Sequence, residues 1–120
     1  MIKSNKRADW KRGQLGEMLG ALYLRLKGYR ILARQYRTPL GEIDIIARRG
    51  NTVAFVEVKV RQDHDSAASA ISRQQQMRII NAANLFIQKV PNTAECDLRF
   101  DALLVAPWRW PDHIQNAWHQ

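Results

Sequence analysis

Gly50-Asn51 stands between two runs, residues 41–49 and 52–59, in which β-branched and other apolar residues alternate with charged ones. Such a dipeptide between strand-like runs predicts a two-residue β-hairpin loop. The loop sets the register: Arg49 opposes Thr52, Asp44 opposes Glu57, and Glu42 opposes Lys59. Directly opposed side chains lie about 4.5–5.5 Å apart at Cβ, and like charges there destabilise the sheet. Asp44 facing Glu57 therefore calls for a compensating cation. Lys59, two residues from Glu57, points to the same face. Three acidic groups and a lysine are thus expected at one end of a hairpin face that continues as Ile46, Phe55 and Val53. The other face (Ile43, Ile45, Ala47, Ala54, Val56, Val58) reads as core.

The chain has 120 residues, one domain by length, enough to bury about two-thirds of its unfolded surface. Net charge is +8, and 13 of the 19 basic residues are arginine, which binds phosphate bidentately. That balance favours a polyanion, nucleic acid before all others. Cys96 is the single cysteine, which excludes an intrachain disulfide and a cysteine-based zinc site and suits a reducing cytoplasm. No apolar run follows the basic start, so neither a leader nor a membrane span is expected.

Residues 1–9 read as a flexible basic arm. A helix is expected over 11–27, with Leu15, Met18, Leu19, Leu22 and Leu26 as its buried stripe and Gly28 as C-cap. Gly13, Gly16 and Gly20 are costly in a helix, which implies a close approach to another element or a ligand. Glu17 beside the stripe is a solvated carboxylate or a further ligand. A strand follows over 29–37, then a break at Thr38-Pro39-Leu40-Gly41, where Gly41 is expected to adopt a backbone geometry closed to other residues. Residues 60–66 read as a polar loop, where His64 between acids is a solvated side chain or a ligand. A long helix is expected over 67–89, with an apolar stripe of Ile71, Ile79, Ala82, Ala83, Phe86 and Ile87, and with Gln75 turned toward a cleft. A strand over 97–105 places Arg99 and Asp101 on one face as a pair. Residues 106–120 form an aromatic arm. Ile114, Ala117 and Trp118 at helical spacing suggest that it packs on the core, while Trp108 and Trp110 with Arg109 suit base stacking.

The order helix, strand, hairpin bearing Asp then Glu-x-Lys, helix, strand is that of the PD-(D/E)xK nuclease core. More closely, the chain resembles the UPF0102 (YraN-like) family, itself similar to archaeal Holliday junction resolvases. The resemblance rests on Gly16-Glu17, the run from Gly41-Glu42-Ile43-Asp44 to Ala47, the run from Phe55-Val56-Glu57-Val58-Lys59 to Arg61, Ala82-Ala83, and Arg99-Phe100-Asp101. It implies an α/β, restriction-endonuclease-like core: a central mixed sheet with a β-hairpin, flanked by helices. It also implies Asp44 and Glu57 as metal ligands, Lys59 as the catalytic lysine and Glu17 as the extra acidic residue. Homodimerisation is implied by analogy only. Relatives commonly carry a lysine where Gln75 stands, which puts the activity of the site in question.

Magnesium, or manganese in its place, would suit the all-oxygen ligands Asp44, Glu57 and the Val58 carbonyl. Lys59 would orient water or stabilise charge, steadied by Glu42 across the hairpin. Arg34, Arg37, Arg61, Arg73, Gln75 and Arg78 are candidate nucleic-acid contacts. The expected function is a metal-dependent endonuclease acting on nucleic acid, DNA first and branched DNA in particular. The alternatives are a nucleic-acid-binding module with an inactive site, and an adaptor for an acidic partner.

Overall fold

The computed structural model describes residues 2–61 and 71–120, with side chains described from residue 13 onward. His64 and the expected helix start near Ala67 lie outside the described residues. Among the described residues, two helices, α1 (Ile2–Leu26) and α2 (Arg73–Lys89), accompany five strands: β1 (Arg30–Thr38), β2 (Gly41–Arg49), β3 (Thr52–Val60), β4 (Asp97–Val105) and β5 (Asp112–Trp118). The strands form one sheet in sequence order. Only β3 and β4 run parallel, and α2 lies in the crossover between them. This is a mixed α/β fold of restriction-endonuclease-like build.

The hairpin register is the one set by the Gly50-Asn51 loop, from Arg49↔Thr52 to Ile45↔Val56. Gly50 carries φ +60 at the first loop position, where a primed hairpin turn needs a positive φ. Both faces of this hairpin are core, not one. Ile46, Val53, Phe55 and Phe100 pack with Ile79, Ala83 and Phe86 of α2. Ile45, Ala47, Ala54, Val56 and Leu103 pack with Ala21 and Leu24 of α1. A sheet covered on both faces has near-continuous apolar strands. Ile43 departs from the expected alternation and joins the α2-side cluster.

The glycines explain how closely the helices approach. A Cβ on Gly16 would lie 2.4 Å from Val60 Cγ2, and one on Gly20 2.8 Å from Leu103 Cδ2. At Gly41 the constraint is proximity rather than an unusual φ: a Cβ there would lie 2.2 Å from the Arg78 carbonyl oxygen. β2 thus starts hard against α2.

Three expectations are corrected. The backbone of residues 2–9 continues α1 as helix instead of forming a separate arm. The stripe Leu15, Met18, Leu19, Leu22 and Leu26 faces outward, and α1 instead buries Gly16, Glu17, Gly20, Ala21 and Leu24. Residues 112–118 form strand β5 on β4, not a helix. Trp118 stacks on Phe100 at 5.8 Å in the core, while Trp108 and Trp110 are exposed.

Candidate functional site

Asp44 and Glu57 meet where the β2–β3 ladder ends. Beyond Ile45↔Val56 the strands separate, and Asp44 Oδ2 accepts the Val58 N–H at 2.8 Å, taking the place of a ladder partner from β2. Direct cross-strand opposition of Asp44 and Glu57 is therefore replaced by a splayed end, but the two carboxyls remain close enough to perturb each other. Glu57 is buried. Lys59 Nζ lies 3.6 Å from Glu57 Oε2 and donates to Gln75 Oε1 at 3.3 Å. The Gln75 amide nitrogen donates to Glu57 Oε2, so Gln75 bridges the carboxyl and the ammonium. Ser72 caps α2 through the Gln75 N–H, which fixes Gln75 in the first turn, above the hairpin end.

Burial, then Asp44, pushes the Glu57 carboxyl up to about 9, against the smaller downward pull of Lys59. The folded protein then holds a proton on Glu57 that the unfolded chain has lost. Stability conferred by that neutral form is complete below the ordinary value of 4.5 and falls as pH rises towards 9. Glu57→Gln keeps the shape without the buried charge. It is expected to raise unfolding free energy at pH 8 by about 2 kcal/mol or more, and to add nothing at pH 4. Urea titrations at the two pH values check this.

Two clefts flank the pair and share Glu42, Asp44, Val58 and Lys59. The one toward α2, about 430 Å³, adds Glu57, Gln75 and Arg78. The one toward α1, about 490 Å³, adds Gly13, Glu17, Gln35 and Arg37. Glu17 therefore reaches the site beside Asp44 but not beside Glu57. Among the described residues no three His, Cys, Asp or Glu side chains form a metal-binding group. Asp44 and Glu57, with backbone oxygen, are the groups here that could hold a cation.

Glu17 is buried and held by two neighbours on β1, Arg34 Nε at 3.2 Å and Gln35 Nε2 at 3.1 Å. Adjacent strand residues ordinarily point to opposite faces. Gln35 escapes that rule through a φ of +50. Sequence reasoning missed Gln35, and nothing in the sequence signals it, since no glycine marks the positive φ. Glu42 pairs with Arg37 across β1–β2 at 3.7 Å, not with Lys59, because that register puts them opposite each other.

The other candidate nucleic-acid contacts separate. Arg37 and Arg78 line the two clefts. Arg34 is committed to Glu17, Arg61 bonds the Val60 carbonyl, and Arg73 bonds Gln76 on the exposed start of α2.

Fold and site define an α/β protein of restriction-endonuclease-like architecture, with paired carboxyls, a lysine and a glutamine at the open end of its hairpin. The chain belongs to the UPF0102 family, whose model, described as "Uncharacterised protein family UPF0102", matches residues 16–105. It is similar to a UPF0102 protein of Bradyrhizobium diazoefficiens, 53% identical over 92% of this chain and 83% of that one. A UPF0102 protein of Parvibaculum lavamentivorans is 48% identical over 92% and 84%, and one of Mesorhizobium japonicum 46% identical over 97% and 93%.

Proposed function

We propose that this protein is a metal-dependent endonuclease of the PD-(D/E)xK type, hydrolysing phosphodiester bonds in DNA, branched DNA in particular. The observation that carries the reading is the convergence of Asp44, Glu57 and Lys59 in an open cleft of a chain with net charge +8. Nucleic-acid binding alone needs no carboxyls near phosphate. The site fits a divalent cation: Glu57 is buried against Asp44, which pushes its carboxyl up, and a cation would relieve that repulsion. Asp44, Glu57 and the Val58 carbonyl would hold magnesium or manganese. When bound, the ion would supply Lewis acidity to the phosphate and to a water.

The chain's own groups do the rest. Lys59 places a positive charge beside the carboxyls, where negative charge develops on phosphate. Gln75 keeps the Lys59 ammonium oriented, the role expected of Glu42 from the sequence. Arg37 and Arg78 flank the clefts and suit phosphate contacts on either side. A homodimer on two-fold junctions follows from the resemblance to resolvases. Among the described residues no helix is long and apolar enough to cross a membrane. We place the activity in the cytoplasm, where a free, buried Cys96 is at home.

A second reading rests on Gln75, which already occupies both Glu57 and Lys59: a binding module whose site does not cut. Cleavage of branched, flapped, duplex and single-stranded DNA with magnesium, manganese or chelator separates the two. Metal-dependent cutting is expected, with DNA affinity falling steeply as salt rises. Binding without cutting under every condition leaves the module. Calorimetry that detects no ion binding, even with DNA present, removes the metal site.

A further inference from the structure

The sheet breaks its alternation at one rung, Gln35 against Asp44. β1 pairs Arg34 with Ile45 and Tyr36 with Ile43, which sets Gln35 opposite Asp44. Residues two apart on a strand ordinarily share a face. Here Arg34 turns to Glu17 of α1, while Tyr36 packs on Phe86 of α2 with the ring centroids 5.3 Å apart. Across the rung, Ile45 joins the α1-side core and Ile43 the α2-side core. The β2–β3 ladder ends beside it, at Ile45↔Val56. Gln35 carries φ +50, a left-handed backbone that an L-residue adopts at a cost. Strain kept at the open end of a cleft points to a use for the strained residue.

The Gln35 side chain goes to Glu17. Gln35 Nε2 donates to Glu17 Oε2 at 3.1 Å, and Arg34 Nε donates to Oε1 at 3.2 Å. Each carboxylate oxygen is thus held by one bond, whereas an ionised carboxylate has about four acceptor sites in all. Glu17, Gln35 and Asp44 line the same α1-side cleft. We propose that Gln35 is a positioning residue of the endonuclease site: its strained backbone turns the amide onto Glu17 and fixes that carboxylate beside Asp44, where its remaining acceptor sites hold a water in the cleft. The inference rests on the endonuclease reading. The plainer alternative is that the positive φ serves only to bring Tyr36 onto Phe86. That alternative needs the Gln35 backbone but not its amide. Glycine adopts this backbone freely, so Gln35→Gly separates the two.

The test reads single-turnover cleavage of a branched DNA in magnesium beside DNA affinity in chelator and the metal-free melting temperature. Gln35→Gly should cut about tenfold more slowly or worse, the cost of a misplaced group at a reacting centre. Its DNA affinity should match the wild type, as for a contact that serves the transition state alone. Gln35→Ala keeps the strain and loses the amide. It should cut as slowly as Gln35→Gly but melt about 4 °C or more below it. Added to Glu17→Gln, Gln35→Gly should cost nothing further, the mark of a residue that acts through another. Cutting by Gln35→Gly at the wild-type rate, or losses that add, overturns the inference and leaves the endonuclease reading standing. Equal melting of the glycine and alanine variants removes the strain and overturns it too. A fall in DNA affinity as large as the fall in rate assigns Gln35 to binding instead. A wild type that binds every DNA offered and cuts none removes the endonuclease reading, and this inference with it.

Discussion

Lys59→Ala and Glu57→Ala are each expected to lower single-turnover strand cleavage by about 10²-fold or more, the usual cost of removing one preorganised electrostatic group. Their effects elsewhere should diverge. Among the described residues Lys59 is the cation that lowers the Glu57 carboxyl, so Lys59→Ala raises it further. It also removes an attractive charge from the cleft, so DNA affinity falls modestly. Glu57→Ala removes a group that would repel phosphate once ionised, so metal-free DNA binding stays equal or tightens. Glu42 is unaffected by either change because Arg37 holds it. Gln75→Lys should pair with Glu57, bring its carboxyl down and increase cutting, although it places a second ammonium near Lys59. Gel-shift and cleavage assays on the same junction read all three variants. If Lys59→Ala cuts at the wild-type rate, the assignment of this cleft as the active site is wrong.

What the sequence conveyed was mostly local chemistry. Gly50-Asn51 fixed a register because turn geometry dictates it. The bounds of β4 are those read from its sequence pattern. The outer orientation of α1 was not legible. A leucine stripe signals an apolar face but not what it meets, and here glycine and alanine let the helix lie close to the sheet while the leucines point away. The strand β5 was missed for a related reason. Its spacing of Ile114, Ala117 and Trp118 suits a helix, but its position is set by long-range bonds to Asp101, including the Asn116 N–H at 3.0 Å. At the site, Asp44, Glu57 and Lys59 line one cleft, though at a splayed strand end and not in the direct opposition that the loop implied. The Gln35 backbone and the Glu42 partner did not follow, because both depend on β1, whose register no turn residue in the hairpin specifies.

Asp101→Asn should destabilise the fold by about 3–5 kcal/mol, the cost of removing one partner from a buried ion pair. The carboxyl is fully buried on β4. It accepts Arg99 Nε and Nη2, both at 2.9 Å, His113 Nε2 at 2.8 Å and the Asn116 N–H at 3.0 Å. His113 must carry its proton on Nε2 to donate, which leaves Nδ1 to accept from Lys27 Nζ at 2.6 Å. One carboxylate thus joins β4, β5 and the end of α1. Burial alone would raise it, but the bonds from His113, Arg99 and Asn116 prevail and hold it below its ordinary value of 3.8. Its contribution is therefore present above that value and lost as pH falls through the lower folded one. An asparagine keeps the volume but offers one carbonyl to donors that met a charged, two-oxygen acceptor, and Arg99 keeps a charge with no counterion beside it. A melting temperature lower by roughly 10–20 °C is expected at pH 7. The gap to the wild type should close in strong acid, where both carry a neutral group. Arg99→Met with Asp101→Leu removes both charges and should recover much of the loss, since an apolar replacement of a buried pair is often neutral. A single-variant loss under about 1 kcal/mol, well below that range, would show that β5 is held by its aromatic packing on Phe100 instead.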